Sequence, residues 1–385
     1  MKAQLKVRIG FGLGTRSEVR DPKVLGELAE NLERLKFDSL WFSERVAGSS
    51  LDPLVLMSWI AGRTEKLKFG PSIMVLPGRN PVILAKSLAS LDVISEGRLL
   101  PAFGLGAADT AEHQAFGVER KDRAPWFNEA LPLMRRLWEE DKVTHAGQRF
   151  SLDEVRVLPK PIQSPLEIWL GGLAPSELRR VGRLGDGWLP SFCTPEDVAD
   201  GIPVIDEHAE VAGKPLIDRE HFGSLIIYTS DGSMPDQVVQ AVRKRRPELD
   251  PRQIIVQGHQ GLEKRIKEFI DVGASKFILV PYIEPDDWSK ELESLAEATL
   301  PPGGATTEHY HSKTEEIYFI LEGCGRMQIE KESQKVQAGD TIGILPGQRH
   351  KLWNDGPMPL RLLCCCAPCY EHEDTILTES EQGHE

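Results

Sequence analysis

A chain of 385 residues with 40% hydrophobic and 27% charged residues has the composition of an ordinary globular protein, long enough for one large domain and one small one. Its net charge of −13 and pI near 5.4 lack the basic footprint that a nucleic acid or an anionic membrane surface requires, so neither is expected as a partner. The opening MKAQLKVRIGFGLG carries no apolar run of signal-peptide length, no later run approaches a membrane span, and the cysteines lack the spacing of a disulfide framework, which together predict a reducing, cytoplasmic setting.

From the N-terminus to about residue 300, apolar β-branched runs alternate with amphipathic helical stretches, the pattern of βα units around a parallel sheet. Strands are expected at 7–12, 39–42, 67–75, 99–106, 166–171, 187–190, 222–229 and 276–281, with helices between them. The third helix is the clearest: Asn80 is a good N-cap, Pro81 suits the first turn, Leu84, Leu88 and Leu91 share a face, and Gly97 closes it. The strand that follows is apolar on both faces, as a strand between a barrel interior and a ring of helices must be. Residues 231–261 are ambiguous, with a further short strand at 254–256, and a last helix is expected over 288–299. The segment PPGGATT at 301–307 then breaks the pattern, dividing the chain into domains at 1–300 and 301–385 with few core contacts across the boundary. Beyond it the period shortens to strands at 316–322, 326–330, 340–345, 351–354 and 360–366, an all-β module with a polar, frayed end at 379–385.

Five of the ten histidines fall after residue 300, and His309, His311 and His350 sit where a compact β-barrel would bring them together. His309 and His311 are two apart and share a strand face, and Glu316 follows on the neighbouring strand. Three imidazoles and a carboxylate suit zinc, iron, nickel, copper or manganese. The spacing resembles the cupin family: Gly303, His309, His311, Glu316 and Gly323 match its first motif, and Gly339, Pro346, Gly347, His350 and Asn354 approach its second, with PGxxH in place of PxGxxH. The resemblance implies a jelly-roll barrel holding a divalent transition metal through His309, His311, Glu316 and His350. Glu315 is the alternative carboxylate, but no glycine lies seven positions beyond it. Cys366 and Cys369 form a CxxC, a spacing used by zinc and redox sites, yet beside Cys364 and Cys365 at a strand end they read as small buried hydrophobes.

In a (β/α)₈ barrel the active site lies just after the strands. Ser43, Glu44 and Arg45 follow the second strand, 72–77 end the third, Gly104 and Gly106 close the fourth, and Gly171 with Gly172 closes the fifth. Adjacent glycines opening a helix let backbone amides approach a phosphate, although a tight βα turn explains them equally well. The runs GPSIMVLPGRNPVILAKSLASLDVISEGRLLPAFGLG and PLEIWLGGLAPSELRRVGRLGDGWLPS resemble the luciferase-like monooxygenase superfamily, a resemblance that spans residues 6–285 and is closest to the branch using the deazaflavin coenzyme F420, with FMN as the alternative. It implies a TIM barrel, a non-proline cis peptide at Ser72–Ile73 behind the deazaflavin ring, a phosphate turn at Gly171 and Gly172, and Ser43 and Glu44 in the place of the family's Ser-Asp. Arg45 stands where relatives often have histidine, and Ala107 where some carry an acid. Glu44 and Arg45 are therefore the candidate catalytic groups, with Asp109, Glu112 and His113 near in sequence. Through the resemblance the chain reads as an α/β TIM barrel followed by a small all-β cupin, passing a hydride between F420 and a small organic substrate. An FMN-dependent monooxygenase, and a cupin serving only as a metal-dependent binding or stability module, are the alternatives. The expected partners are a small-molecule substrate and, left open, further copies of the chain as a homo-oligomer.

Overall fold

The computed structural model describes residues 6–295, 297–367 and 374–378. Parallel pairing begins at Arg8–Leu13, which lies between Ser39–Phe42 and Lys276–Pro281. Ser39–Phe42 pairs in turn with Lys68–Pro71. Met74–Val75 then pairs with Ala102–Gly104, which pairs with Trp169–Leu170 and through it with Gly187–Trp188. Parallel bridges Phe69↔Leu99 and Trp188↔Phe222 join these strands to the rest, and Gly223–Thr229 pairs with Lys276–Pro281 to close the barrel. The strands are buried on both sides, as KFILVP at Lys276–Pro281 illustrates, because helices cover the outside and side chains fill the inside. Helix Pro81–Ile94 forms as expected: the Asn80 side chain accepts from the Val82 and Ile83 amides, and Leu84, Leu88 and Leu91 are buried.

Several expectations change. The expected strand at 67–75 is two pieces separated by Ser72 and Ile73, whose peptide bond is cis. A polar hairpin, Val143–Ala146 with Ser151–Val155, precedes the fifth barrel strand; its largely exposed residues give no hydrophobic period to read. The ambiguous short strand exists as Ile255–Gln257, paired outside Ile227–Thr229. The last helix is shorter than expected, Trp288–Glu293, and Glu297–Leu300 is instead a strand paired antiparallel with Leu360–Leu363. Ala298 and Leu300, two apart, rest on the core of the C-terminal unit, so the strand period prevails over the helical one.

That unit is a pair of antiparallel sheets. One has the order Glu297–Leu300, Leu360–Ala367, Glu315–Glu322, Thr341–Ile344; the other runs Glu332–Gln337, Cys324–Ile329, His350–Trp353, His309–His311, Thr375–Leu377. The central strand Glu315–Glu322 is buried on both faces. Tyr318 and Ile320 point into the space between the sheets, whereas Ile317, Phe319 and Leu321 join the same hydrophobic core as the barrel. Few core contacts were expected across PPGGATT, but the barrel and the sandwich share a core. The seam is also polar: Thr341 Oγ1 donates to Glu263 Oε1 at 2.6 Å, Gln260 Nε2 to Glu315 Oε2 at 2.9 Å, and Arg361 Nη2 to the Val7 carbonyl at 3.2 Å. No helix among the described residues is long and apolar enough to cross a membrane. The polar end at 379–385 and Cys369 lie outside the described residues.

Candidate metal centre and barrel active site

His309 and His350 are directly opposite each other on adjacent strands of one sheet. His311 follows two positions along the first of these strands, on the same face. Glu316 comes from the facing sheet, not from a neighbouring strand of the same sheet as the spacing had suggested. Its Oε2 lies 2.8 Å from His350 Nε2, 3.3 Å from His311 Nε2 and 3.9 Å from His309 Nε2, and the four ligand atoms all fall within 4.8 Å of one another. Glu315, the alternative, turns outward to Gln260.

The surroundings aim these rings. His309 Nδ1 donates to the Thr307 carbonyl at 2.8 Å and His350 Nδ1 to the Gln348 carbonyl at 3.1 Å, while His311 Nδ1 meets Thr375 Oγ1 at 3.4 Å. With Nδ1 engaged outward, each Nε2 lone pair is directed to the common centre, the arrangement that outer partners impose on metal-binding histidines. Asp374 clasps the intervening turn, accepting from the amides of Ser312, Lys313 and Thr314. Burial alone would raise the Glu316 carboxyl, but the adjoining His311 and His350 rings outweigh it and hold the group far below the usual carboxylate range. Burial lowers His309 and keeps its imidazole neutral, the form that ligates. Three inward nitrogens and an ionised carboxylate, all but one of the residues buried, fit a first-row divalent cation. The Tyr318 hydroxyl, 3.3 Å from both Glu316 Oε2 and His350 Nε2, is a neighbour of this centre that the motif did not flag.

At the C-terminal end of the large barrel, Ser43 Oγ donates to the Ser72 carbonyl at 3.2 Å. Ile73 projects across the fourth and fifth strands, and a Cβ on Gly104 would come within 1.7 Å of its Cδ1, so any side chain there would push the end of Ile73 aside. Gly171 also borders Ile73, and Gly106, at φ +81°, faces Val75. Glu44 is buried and committed: its carboxylate accepts from the Val75 amide at 2.6 Å and pairs with Arg79. Burial pushes its carboxyl above the ordinary range against the pull of Arg79. Arg45 is likewise held, with Nε 3.1 Å from Glu112 Oε1 and Nη2 3.3 Å from Asp109 Oδ2. Glu112 and His113 line a cavity with Val75, Leu105, Gly106 and Phe116. Glu112 Oε2 and His113 Nε2 are buried there and find no hydrogen-bond partner among the described residues. Nearness in sequence hinted at these two groups, but only the fold places them at a cavity.

The turn at Gly171 and Gly172 opens helix Pro175–Leu184, and Gly172 has φ +108°. Its exposed amides are engaged from within the chain: Leu173 and Ala174 both donate to Glu177 Oε2, at 3.1 and 3.0 Å. A phosphate would compete with that carboxylate.

Residues 1–278 match the luciferase-like monooxygenase family, and residues 296–366 match the cupin domain. The chain belongs to the luciferase-like monooxygenase family. With it the chain joins a family of enzymes, here with a cupin attached. An uncharacterized protein of Methanocaldococcus jannaschii is 44% identical over 115 residues, 30% of this chain and 90% of that one. An F420-dependent glucose-6-phosphate dehydrogenase of Kineococcus radiotolerans is 28% identical over 223 residues, covering 54% of this chain and 65% of that protein. The chain thus spans slightly under two thirds of that relative's length. Among solved structures, an F420-dependent secondary alcohol dehydrogenase superposes with a TM-score of 0.62 at 24% identity, over 72% of this chain and 94% of that one, a likeness of fold.

Proposed function

We propose that the barrel is an F420-linked oxidoreductase acting on a small organic molecule, and that the cupin holds a divalent transition metal through His309, His311, Glu316 and His350. The observation that carries the first part is the barrel's similarity to a relative that uses F420, over most of the barrel's length. When bound, the cofactor supplies hydride chemistry at its deazaflavin ring. The chain's own part is to seat and shield it. Ser43, Ser72, Ile73, Gly104 and Gly106 form the wall of that seat, and Gly171 and Gly172 its phosphate end. Glu44, locked to Arg79 and the Val75 amide, braces the wall. Glu112 and His113 are the groups best placed to give or take a proton from a substrate in the adjoining cavity, with Arg45 pinned beside them.

The test is a fluorescence titration of the purified chain with oxidised and reduced F420 and with FMN. Tighter binding of F420 is expected; tighter binding of FMN would transfer the reading to an oxygen-activating monooxygenase.

A further inference from the structure

The carboxylate of Glu316 has two oxygens, and the histidines account for one of them. Oε2 faces the three imidazoles, whereas Oε1 faces two sulfurs on the neighbouring strand: Cys364 Sγ at 3.5 Å and Cys366 Sγ at 3.7 Å. The two sulfurs are 3.8 Å apart. They meet because Cys364 and Cys366 are two apart on strand Leu360–Ala367 and share its inner face, while Cys365 between them points the other way into the core shared with the barrel. The register sets Cys366 directly opposite Glu316 and Cys364 opposite Tyr318.

These separations have a chemical meaning. A tetrahedral zinc ion with Zn–S of about 2.3 Å and Zn–O of about 2.1 Å has S···S edges of about 3.8 Å and S···O edges of about 3.6 Å. The three edges observed between Cys364, Cys366 and Glu316 Oε1 match that triangle. We propose that Cys364, Cys366 and Oε1 of Glu316 form a second metal site, selective for a thiophilic cation such as zinc, and that Glu316 bridges it to the histidine centre.

Each thiol releases its proton to solvent as its metal–sulfur bond forms, and the three protein donors leave a fourth position for water or a substrate atom. Thiolates prefer soft or borderline cations, whereas the three imidazoles and a carboxylate accept a wider range, so the two halves of the site would sort metals differently. The Cys366–Cys369 spacing that stands out in the sequence is not the pair used here; alternation along one strand selects Cys364 and Cys366. This proposal shares Glu316 with the histidine centre but draws its other ligands from separate residues, so the two readings fail separately.

The experiment is an anaerobic titration of the reduced, metal-free full chain with cadmium, following the thiolate-to-cadmium charge-transfer absorption, with zinc content measured in parallel by elemental analysis. The full chain should take up about two zinc equivalents, and the double variant Cys364→Ser/Cys366→Ser about one, with most of the charge-transfer absorption gone. The variant His309→Ala/His311→Ala should also fall to about one equivalent but keep that absorption. Uptake of a single equivalent by the full chain without thiolate absorption would overturn the proposal whether or not the variants fold, as would undiminished absorption in the cysteine variant. If instead the histidine variant keeps its full zinc content while the cysteine variant loses absorption, the histidine centre is refuted and the thiolate site stands.

Discussion

Lys276 and Asp38 form a buried ion pair at the N-terminal end of the barrel, where the lysine side chain is only 3% exposed and its ammonium lies 5.6 Å from the ring of Trp41 and 5.7 Å from that of Trp169. Burial alone would raise the Asp38 carboxyl, but Lys276 and Lys68 outweigh it and bring it down to about 2 from an ordinary 3.8. A depressed folded-state value means that the stabilisation is fully present above the unfolded pKa and is lost as pH falls through the folded one. Acid should therefore weaken the barrel progressively between about pH 4 and pH 2. We expect Asp38→Asn to flatten that part of the pH–stability curve and to cost about 3–5 kcal/mol at neutral pH, because it strands the lysine charge. Urea melts across the acid range check this; an unchanged acid limb in the variant would show that other carboxylates control it.

The shared core predicts how metal affects the whole chain. A cation at about 100 times its dissociation constant adds roughly 2.7 kcal/mol to the folded state that binds it. Ile317 and Phe319, which flank the metal-facing residues on strand Glu315–Glu322, are buried in the barrel's core, and His259 of helix Gly258–Asp271 donates to the Cys366 carbonyl at 2.9 Å. Barrel and cupin should unfold in a single calorimetric transition that moves upward with zinc, and His311→Ala should diminish the shift. Two separate transitions, only the smaller of them moved by zinc, would show that the seam does not couple the units.

Glu177 is expected to oppose cofactor binding. Its carboxylate occupies the amides of Leu173 and Ala174, where a phosphate would arrive. Glu177→Gln removes a negative charge from the helix N-terminus and should tighten F420 binding about fivefold, equivalent to ~1 kcal/mol. Unchanged affinity in a folded variant would place the cofactor's phosphate elsewhere on the barrel.

What the sequence discloses depends on whether the signal is local. The strand Lys276–Pro281 is legible because six consecutive residues suited to a doubly covered strand leave no other reading. The HxH pair and the glycines around Glu316 are legible for the same reason: spacing along one strand fixes their face. Which sheet Glu316 comes from is not local information, and neither is the partner of Cys364. Ile317, Phe319 and Leu321 show the difficulty most clearly. Alternation says that they oppose Tyr318 and Ile320, but nothing in eight residues says that the opposite face is covered by a barrel rather than by water. At the barrel rim, Glu44 and Arg45 were readable by position alone, whereas their engagement by Arg79 and Glu112 arises from segments more than thirty residues away.

The strand Glu315–Glu322 also bears on how this protein can be handled. Since one of its faces completes the wall of the barrel's core, a chain cut just after residue 295 would leave an oily, unfinished flank, the kind of surface that drives inclusion-body formation in an expressed fragment. The barrel and the cupin would be synthesised, purified and degraded together, and a preparation depleted of either half should be sought among misfolded material rather than among functional fragments.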